Sequence, residues 1–135
     1  MITGKCECGT VQYQITSPIH EYSHCHCEQC RRLSGAPFAS FIGVSVDGFT
    51  FISGQDKLAR YSSSEGHTRV FCRTCGANIM VEIAEYPDDY FVYLGTVDGE
   101  PDLPDNSFHM FVRSKAPWYE IRDGAPQYDT FPPDD

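Results

Sequence analysis

Seven cysteines fall in three short clusters: Cys6-Glu7-Cys8, Cys25-His26-Cys27-Glu28-Gln29-Cys30 and Cys72-Arg73-Thr74-Cys75. Soft thiolates one or two residues apart can both reach a single ion, and zinc selects that donor set. An odd number of cysteines cannot all pair as disulfides within the chain. The start, Met-Ile-Thr-Gly-Lys-Cys, lacks the basic-then-apolar order of a secretory signal. The expected compartment is therefore the reducing cytoplasm. For any single cysteine, packing as a small hydrophobe or serving in a redox relay is the simpler reading. Three clusters within 135 residues favour metal.

Cys8-Gly9 and Cys75-Gly76 look alike. In a zinc knuckle the chain turns tightly after the second ligand so that backbone N–H groups face its sulfur, and glycine permits the positive φ this often needs. Cys6, Cys8, Cys72 and Cys75 thus make a closed four-thiolate set, a structural zinc stapling segments more than sixty residues apart. Cys25, Cys27 and Cys30 remain, three thiolates with no fourth cysteine. Catalytic zinc usually keeps three protein ligands and an open position. The alternative is a closed site completed by His20, His67 or His109. His24 and His26 adjoin the ligand cysteines and are poorly placed to point inward with them. The expected cofactor is two zinc ions per chain.

The elements that must position these groups read as β. The run 11–15 alternates with period two, and 38–46 is a longer β-prone run followed by Asp47-Gly48 and then 49–52. Asp-Gly between two such runs predicts a hairpin. Further strands are predicted at 68–71, 78–83, 90–94, 108–112 and 119–122, with loops at 62–66, 87–89 and 98–106. The only helical piece expected is a turn around 28–33. The chain is thus read as a single zinc-binding β domain over 1–124 and an extended tail over 125–135, rich in Pro and Asp. A hydrophobic share of 41% excludes a disordered chain, and no apolar run reaches the roughly 18 residues of a membrane span. Ten Lys and Arg against 19 Asp and Glu give a net charge of −9, which argues against nucleic acid or an anionic membrane as partner.

Four ordered blocks carry a resemblance: Gly4-Lys5-Cys6-Glu7-Cys8-Gly9, the stretch from Cys25 through Cys30 to Phe38, Phe71-Cys72-Arg73-Thr74-Cys75-Gly76, and Ser114-Lys115-Ala116-Pro117-Trp118. In them the sequence resembles the glutathione-dependent formaldehyde-activating enzymes, which include centromere protein V-like domains. The resemblance implies a mainly β fold, a small zinc-pinned domain of antiparallel sheets arranged as a Mss4-like β-tent. It implies a structural zinc on Cys6, Cys8, Cys72 and Cys75, and the active zinc on Cys25, Cys27 and Cys30. It also implies the activity: joining formaldehyde to glutathione as S-hydroxymethylglutathione, formally carbon–sulfur lyase chemistry. Partners would be a small-molecule thiol and an aldehyde, with the oligomeric state left open.

Glutathione carries two carboxylates, and a protein of this charge repels it unless a local cation grips it. Arg31 and Arg32 follow the last zinc ligand and can fork onto a carboxylate; Lys115 and Arg113 are weaker candidates. His109 can relay a proton or simply pack. Trp118 is expected as a core plug and 90–93 as strand packing. The segment 35–38 is expected to turn beside the active zinc. Competing classes are a non-enzymatic zinc-stabilised protein-binding module and a redox or zinc sensor.

Overall fold

Alternation in Gln12–Ile15 buries Tyr13 and Ile15 and turns Gln12 outward, which makes this segment a strand with one wet face. The computed structural model describes residues 1–133, so the last two residues of the expected tail, 134 and 135, lie outside the described residues. Within them the strands are β1 (Ile2–Lys5), β2 (Gln12–Ile15), β3 (Glu21–Cys25), β4 (Ala39–Ser45), β5 (Phe49–Ser53), β6 (Leu58–Ser64), β7 (His67–Cys72), β8 (Asn78–Ile83), β9 (Asp89–Tyr93) and β10 (Phe108–Met110). One α-helix, α1 (Glu28–Ser34), lies between β3 and β4. A three-stranded sheet runs β1-β2-β5, and a seven-stranded sheet runs β10-β3-β4-β9-β8-β7-β6. Every strand pair is antiparallel except β10 with β3. The fold is mainly β, as expected.

The larger sheet separates two apolar clusters because neighbouring residues on its strands point to opposite faces. Ile42, Val44, Val70, Cys72, Met80 and Val92 pack with Tyr13, Ile15 and Phe49 of the smaller sheet. Ala39, Phe41, Val81 and Tyr93 pack on the other face with Cys25 and Cys30. Each cysteine set therefore adjoins a core of its own.

The predicted Asp-Gly hairpin is not formed. β4 and β5 belong to different sheets, and Val46–Gly48 is a 3-10 turn carrying the chain around the corner between them. Gly48 is not among the positive-φ glycines. It is needed because a Cβ there would meet Ser17 Oγ at 2.3 Å. Residues 119–122 form no strand, and Trp118 is 67% exposed rather than a core plug. β10 stops at Met110 because Phe111 takes a left-handed conformation, φ 56°, and starts the turn Val112–Ser114. Ser62–Ser64, read as loop, ends β6, an edge strand whose polar residues are ordered by pairing with β7. Beyond the last strand, the Pro126 carbonyl and the Tyr128 N–H bond His109, and Phe131 packs edge-on to Phe111.

Helix α1 is short and its ends are well specified. Cys27 is its N-cap, with Sγ accepting from the Cys30 N–H at 3.2 Å. Gly35, at φ 66°, closes the last turn by donating to the Arg31 carbonyl. Glu28 in the first turn, and Arg31 and Arg32 in the last, complement the helix dipole.

Candidate metal centres

Cys6 follows the end of β1 and Cys72 ends β7, so two separate strand ends deliver the first set. The two turns repeat one pattern. The Cys6 N–H bonds the Val11 carbonyl and the Cys72 N–H bonds the Ala77 carbonyl. Gly9 and Gly76, at φ 78° and 79°, donate back to the carbonyls of Cys6 and Cys72. The Val11 N–H points at Cys6 Sγ, 3.3 Å away. All four sulfurs lie within 4.8 Å of one another, with Cys6 to Cys8 at 3.6 Å and Cys8 to Cys72 at 3.9 Å. Tetrahedral zinc–thiolate bonds of about 2.3 Å put sulfurs roughly 3.8 Å apart, so the donor set fits that ion. The Ala77 and Cys8 N–H groups hold the Cys75 thiol down at about 6, while burial pushes Cys6 up.

Six consecutive residues deliver the second set. Cys25 ends β3, Cys27 caps α1 and Cys30 sits in its first turn, and their sulfurs also converge within 4.8 Å. Among the described residues no His, Asp or Glu joins this group. His20 bonds Asp89 at 3.0 Å, His67 bonds the Glu65 carbonyl, and His109 bonds His26 at 2.7 Å and Asp123 at 2.8 Å. All seven cysteines are free thiols. Hydrogen bonds from Cys25 and Cys30 hold the Cys27 thiol far below its ordinary range, and the same group pushes Cys25 far above it. Two cysteine-rich sites can thus hold metal ions, in a form compatible with zinc.

Arg69, which the sequence reading passed over as a strand residue, is buried at 5% exposure against the second set. Its Nη1 reaches Cys30 Sγ at 3.6 Å and Tyr93 Oη at 3.1 Å. Its Nη2 donates to Gln29 Oε1 at 3.0 Å and its Nε to Ser63 Oγ at 3.0 Å. The available signal was phase. Val70 and Cys72 share one face, so Arg69 must take the other.

A third group lies beside β3 and β10. His24 Nδ1 bonds Ser40 Oγ at 2.7 Å and its ring stacks on His109 at 4.7 Å, which links through to His26 and Asp123. His24, His109 and Asp123 have donor atoms close enough for a metal. The two imidazoles are only 29° from parallel, so their in-plane lone pairs do not converge, and both nitrogens of His109 are already engaged. Burial pushes His24 and His26 down to about 4, so both are neutral at pH 7. This is a hydrogen-bonded histidine row.

The candidate substrate residues lie on α1 (Arg31, Arg32), on β10 (His109) and just after the turn Val112–Ser114 (Lys115). Arg31 Nη1 donates to the Ser114 carbonyl at 3.1 Å, and its Nε is buried with no partner. Arg32 is exposed and pairs with Glu28 at 2.6 Å. The Lys115 amine donates to the carbonyls of Ala116 and Tyr119. His109 is buried at 1% exposure. An open cavity of about 510 Å³ adjoins the site, its wall including Ser34, Phe38, Ala39, Asn78 and Tyr93 and no charged side chain. Ala39 and Tyr93 also pack around Cys25 and Cys30.

Fold and site together define a small mainly β protein with two cysteine-rich centres able to take metal. Residues 1–114 match the family described as glutathione-dependent formaldehyde-activating enzyme, and the chain belongs to that family. A protein of Halomonas elongata, provisionally named a glutathione-dependent formaldehyde-activating enzyme, is 27% identical over 128 residues, 90% of this chain and 81% of the relative. An uncharacterized lyase of Schizosaccharomyces pombe is 28% identical over 89 residues, 66% of this chain and 63% of that protein. A crystal structure of a Rhodobacter sphaeroides protein superposes with a TM-score of 0.64 at 20% identity, covering 93% of this chain and 98% of the other, a likeness of fold. No helix among the described residues is long and apolar enough to cross a membrane.

Proposed function

We propose that the protein is a zinc-dependent carbon–sulfur lyase-type enzyme that adds a small thiol, with glutathione the leading candidate, to an aldehyde such as formaldehyde. The observation that carries this reading is the convergence of Cys25, Cys27 and Cys30 with no fourth protein donor among the described residues, while His20, His67 and His109 are engaged elsewhere. The names of the family and relatives support it. Cys6, Cys8, Cys72 and Cys75 would hold a structural zinc, and Cys25, Cys27 and Cys30 the catalytic one.

Zinc held by Cys25, Cys27 and Cys30 would supply ionisation of a bound thiol at neutral pH. A free thiol, with a pKa of about 8.5, is only slightly ionised there without it. In the reaction the thiol's S–H bond breaks, a carbon–sulfur bond forms, the carbonyl π pair moves to oxygen, and that oxygen takes a proton in place of the one the thiol released. The chain's own residues orient the partners. Arg31, next to the last cysteine of the set, is the first candidate to meet a substrate carboxylate, and Arg32 would exchange Glu28 for one. Lys115, whose amine is held by the Ala116 and Tyr119 carbonyls, is a weaker candidate for the same role, and His109, between Asp123 and His26, would pass a proton.

The test is carbon-13 NMR of labelled formaldehyde with glutathione. Zinc-loaded protein should speed formation of the hemithioacetal, and Cys27→Ser should abolish the acceleration. Equal rates with and without protein would refute the activity.

A further inference from the structure

Arg69 is buried, hydrogen-bonded through all three of its nitrogens, and has no carboxylate partner among the described residues. A cation removed from water is costly unless an anion compensates it. Among the described residues its anion-forming neighbours are the Cys25/Cys27/Cys30 set, through Cys30, and the Tyr93 phenol, whose ionisation is itself opposed by burial. Three thiolates around a divalent ion leave one negative charge, which one guanidinium cancels. Resting on the metal reading above, we infer that Arg69 is a positioning residue that balances this centre's charge and thereby admits an anionic thiolate as fourth ligand.

The count makes the consequence specific. With Arg69 present, entry of a thiolate takes the site from neutral to −1, the thiol's proton passing to bulk water. Without it, entry would take the site from −1 to −2. A neutral fourth ligand changes neither total, so its entry should be indifferent to Arg69. Geometry supports a fixed electrostatic role. Ser63, Gln29 and Tyr93 hold three edges of the guanidinium, and Arg69 stands three residues before Cys72 on β7. The strand that delivers a cysteine to one cluster thus presents a cation to the other.

The experiment loads the protein with cobalt(II) and titrates it with 2-mercaptoethanol or imidazole while recording charge-transfer and ligand-field bands. Arg69→Met should weaken 2-mercaptoethanol capture about ten- to a hundredfold and leave imidazole within about threefold of wild type. Arg69→Lys should restore most of the thiol affinity, since it keeps the charge. Arg69→Gln replaces the Met variant if the latter loses native circular dichroism. Neutral variants that capture both ligands like wild type would overturn the inference, as would a Lys variant no better than Gln. Wild-type protein that takes up only one cobalt would instead refute the metal reading itself.

Discussion

Around Cys6, Cys8, Cys72 and Cys75, sulfurs from segments 64 residues apart are held chiefly by backbone N–H groups, above a core of aliphatic and aromatic side chains. Around Cys25, Cys27 and Cys30, sulfurs from six consecutive residues meet a buried guanidinium and a phenol, with a hydrogen-bonded histidine row beside them. Both sets are rich in thiols. They differ in reach and in surroundings. A centre joining distant segments constrains the chain, whereas one built on a single strand-to-helix turn leaves the remaining fold to its own packing. On the proposed function, the polar side chains around the second set would serve ligand exchange and proton movement, which a structural site does not need.

The sharpest way to break this contrast is substitution of one ligand in each set. Cys72→Ser should abolish cooperative unfolding, because the metal's binding energy is folding energy at a site joining distant strands. Cys27→Ser should lose one of two zinc equivalents and the activity while keeping native circular dichroism and a cooperative thermal transition. Elemental analysis and calorimetry on both variants decide it, and equal unfolding would erase the distinction.

Tyr13 sharpens the contrast from the first core. Its phenol is buried, bonds Thr96 Oγ1 at 2.7 Å, and is pushed up to about 12, mainly by burial. The unfolded phenol titrates near 10, so the stability tied to the neutral group is complete below pH 10 and is lost as pH rises toward 12. The loss should approach roughly 2–3 kcal/mol at about 1.4 kcal/mol per unit. Urea unfolding of wild type and Tyr13→Phe between pH 9 and 11.5 should show the alkaline decline reduced in the variant.

Arg31 probes the second region alone. Arg31→Ala should weaken glutathione about ten- to a hundredfold and an uncharged thiol far less, measured as Kd on the cobalt form. Equal losses would remove Arg31 from carboxylate recognition. The smallest effect is expected at a knuckle. Gly9→Ala meets nothing within 4 Å, so only the φ of 78° resists it, at a cost of about 1 kcal/mol by thermal unfolding. The second zinc should remain unaffected.

Cysteine spacing by itself determined which thiols lie close together, since residues one to three apart cannot avoid one another at a turn. Here Gly9 and Gly76 carried the mark of the two knuckles. The period-two run at 11–15 marked β2, and the β-prone runs at 38–46 and 78–83 marked β4 and β8, whose middles are buried on both faces. The edge strand β6 was illegible, since Leu-Ala-Arg-Tyr-Ser-Ser-Ser has no apolar alternation and is ordered by β7. Asp47-Gly48 misled because local turn chemistry does not reveal that adjacent strands join different sheets. Arg69 and the histidine row depended on the tertiary structure for the same reason. Alternation puts Arg69 and Val70 on opposite faces, but only packing decides that one face meets the small sheet and the other meets Cys30.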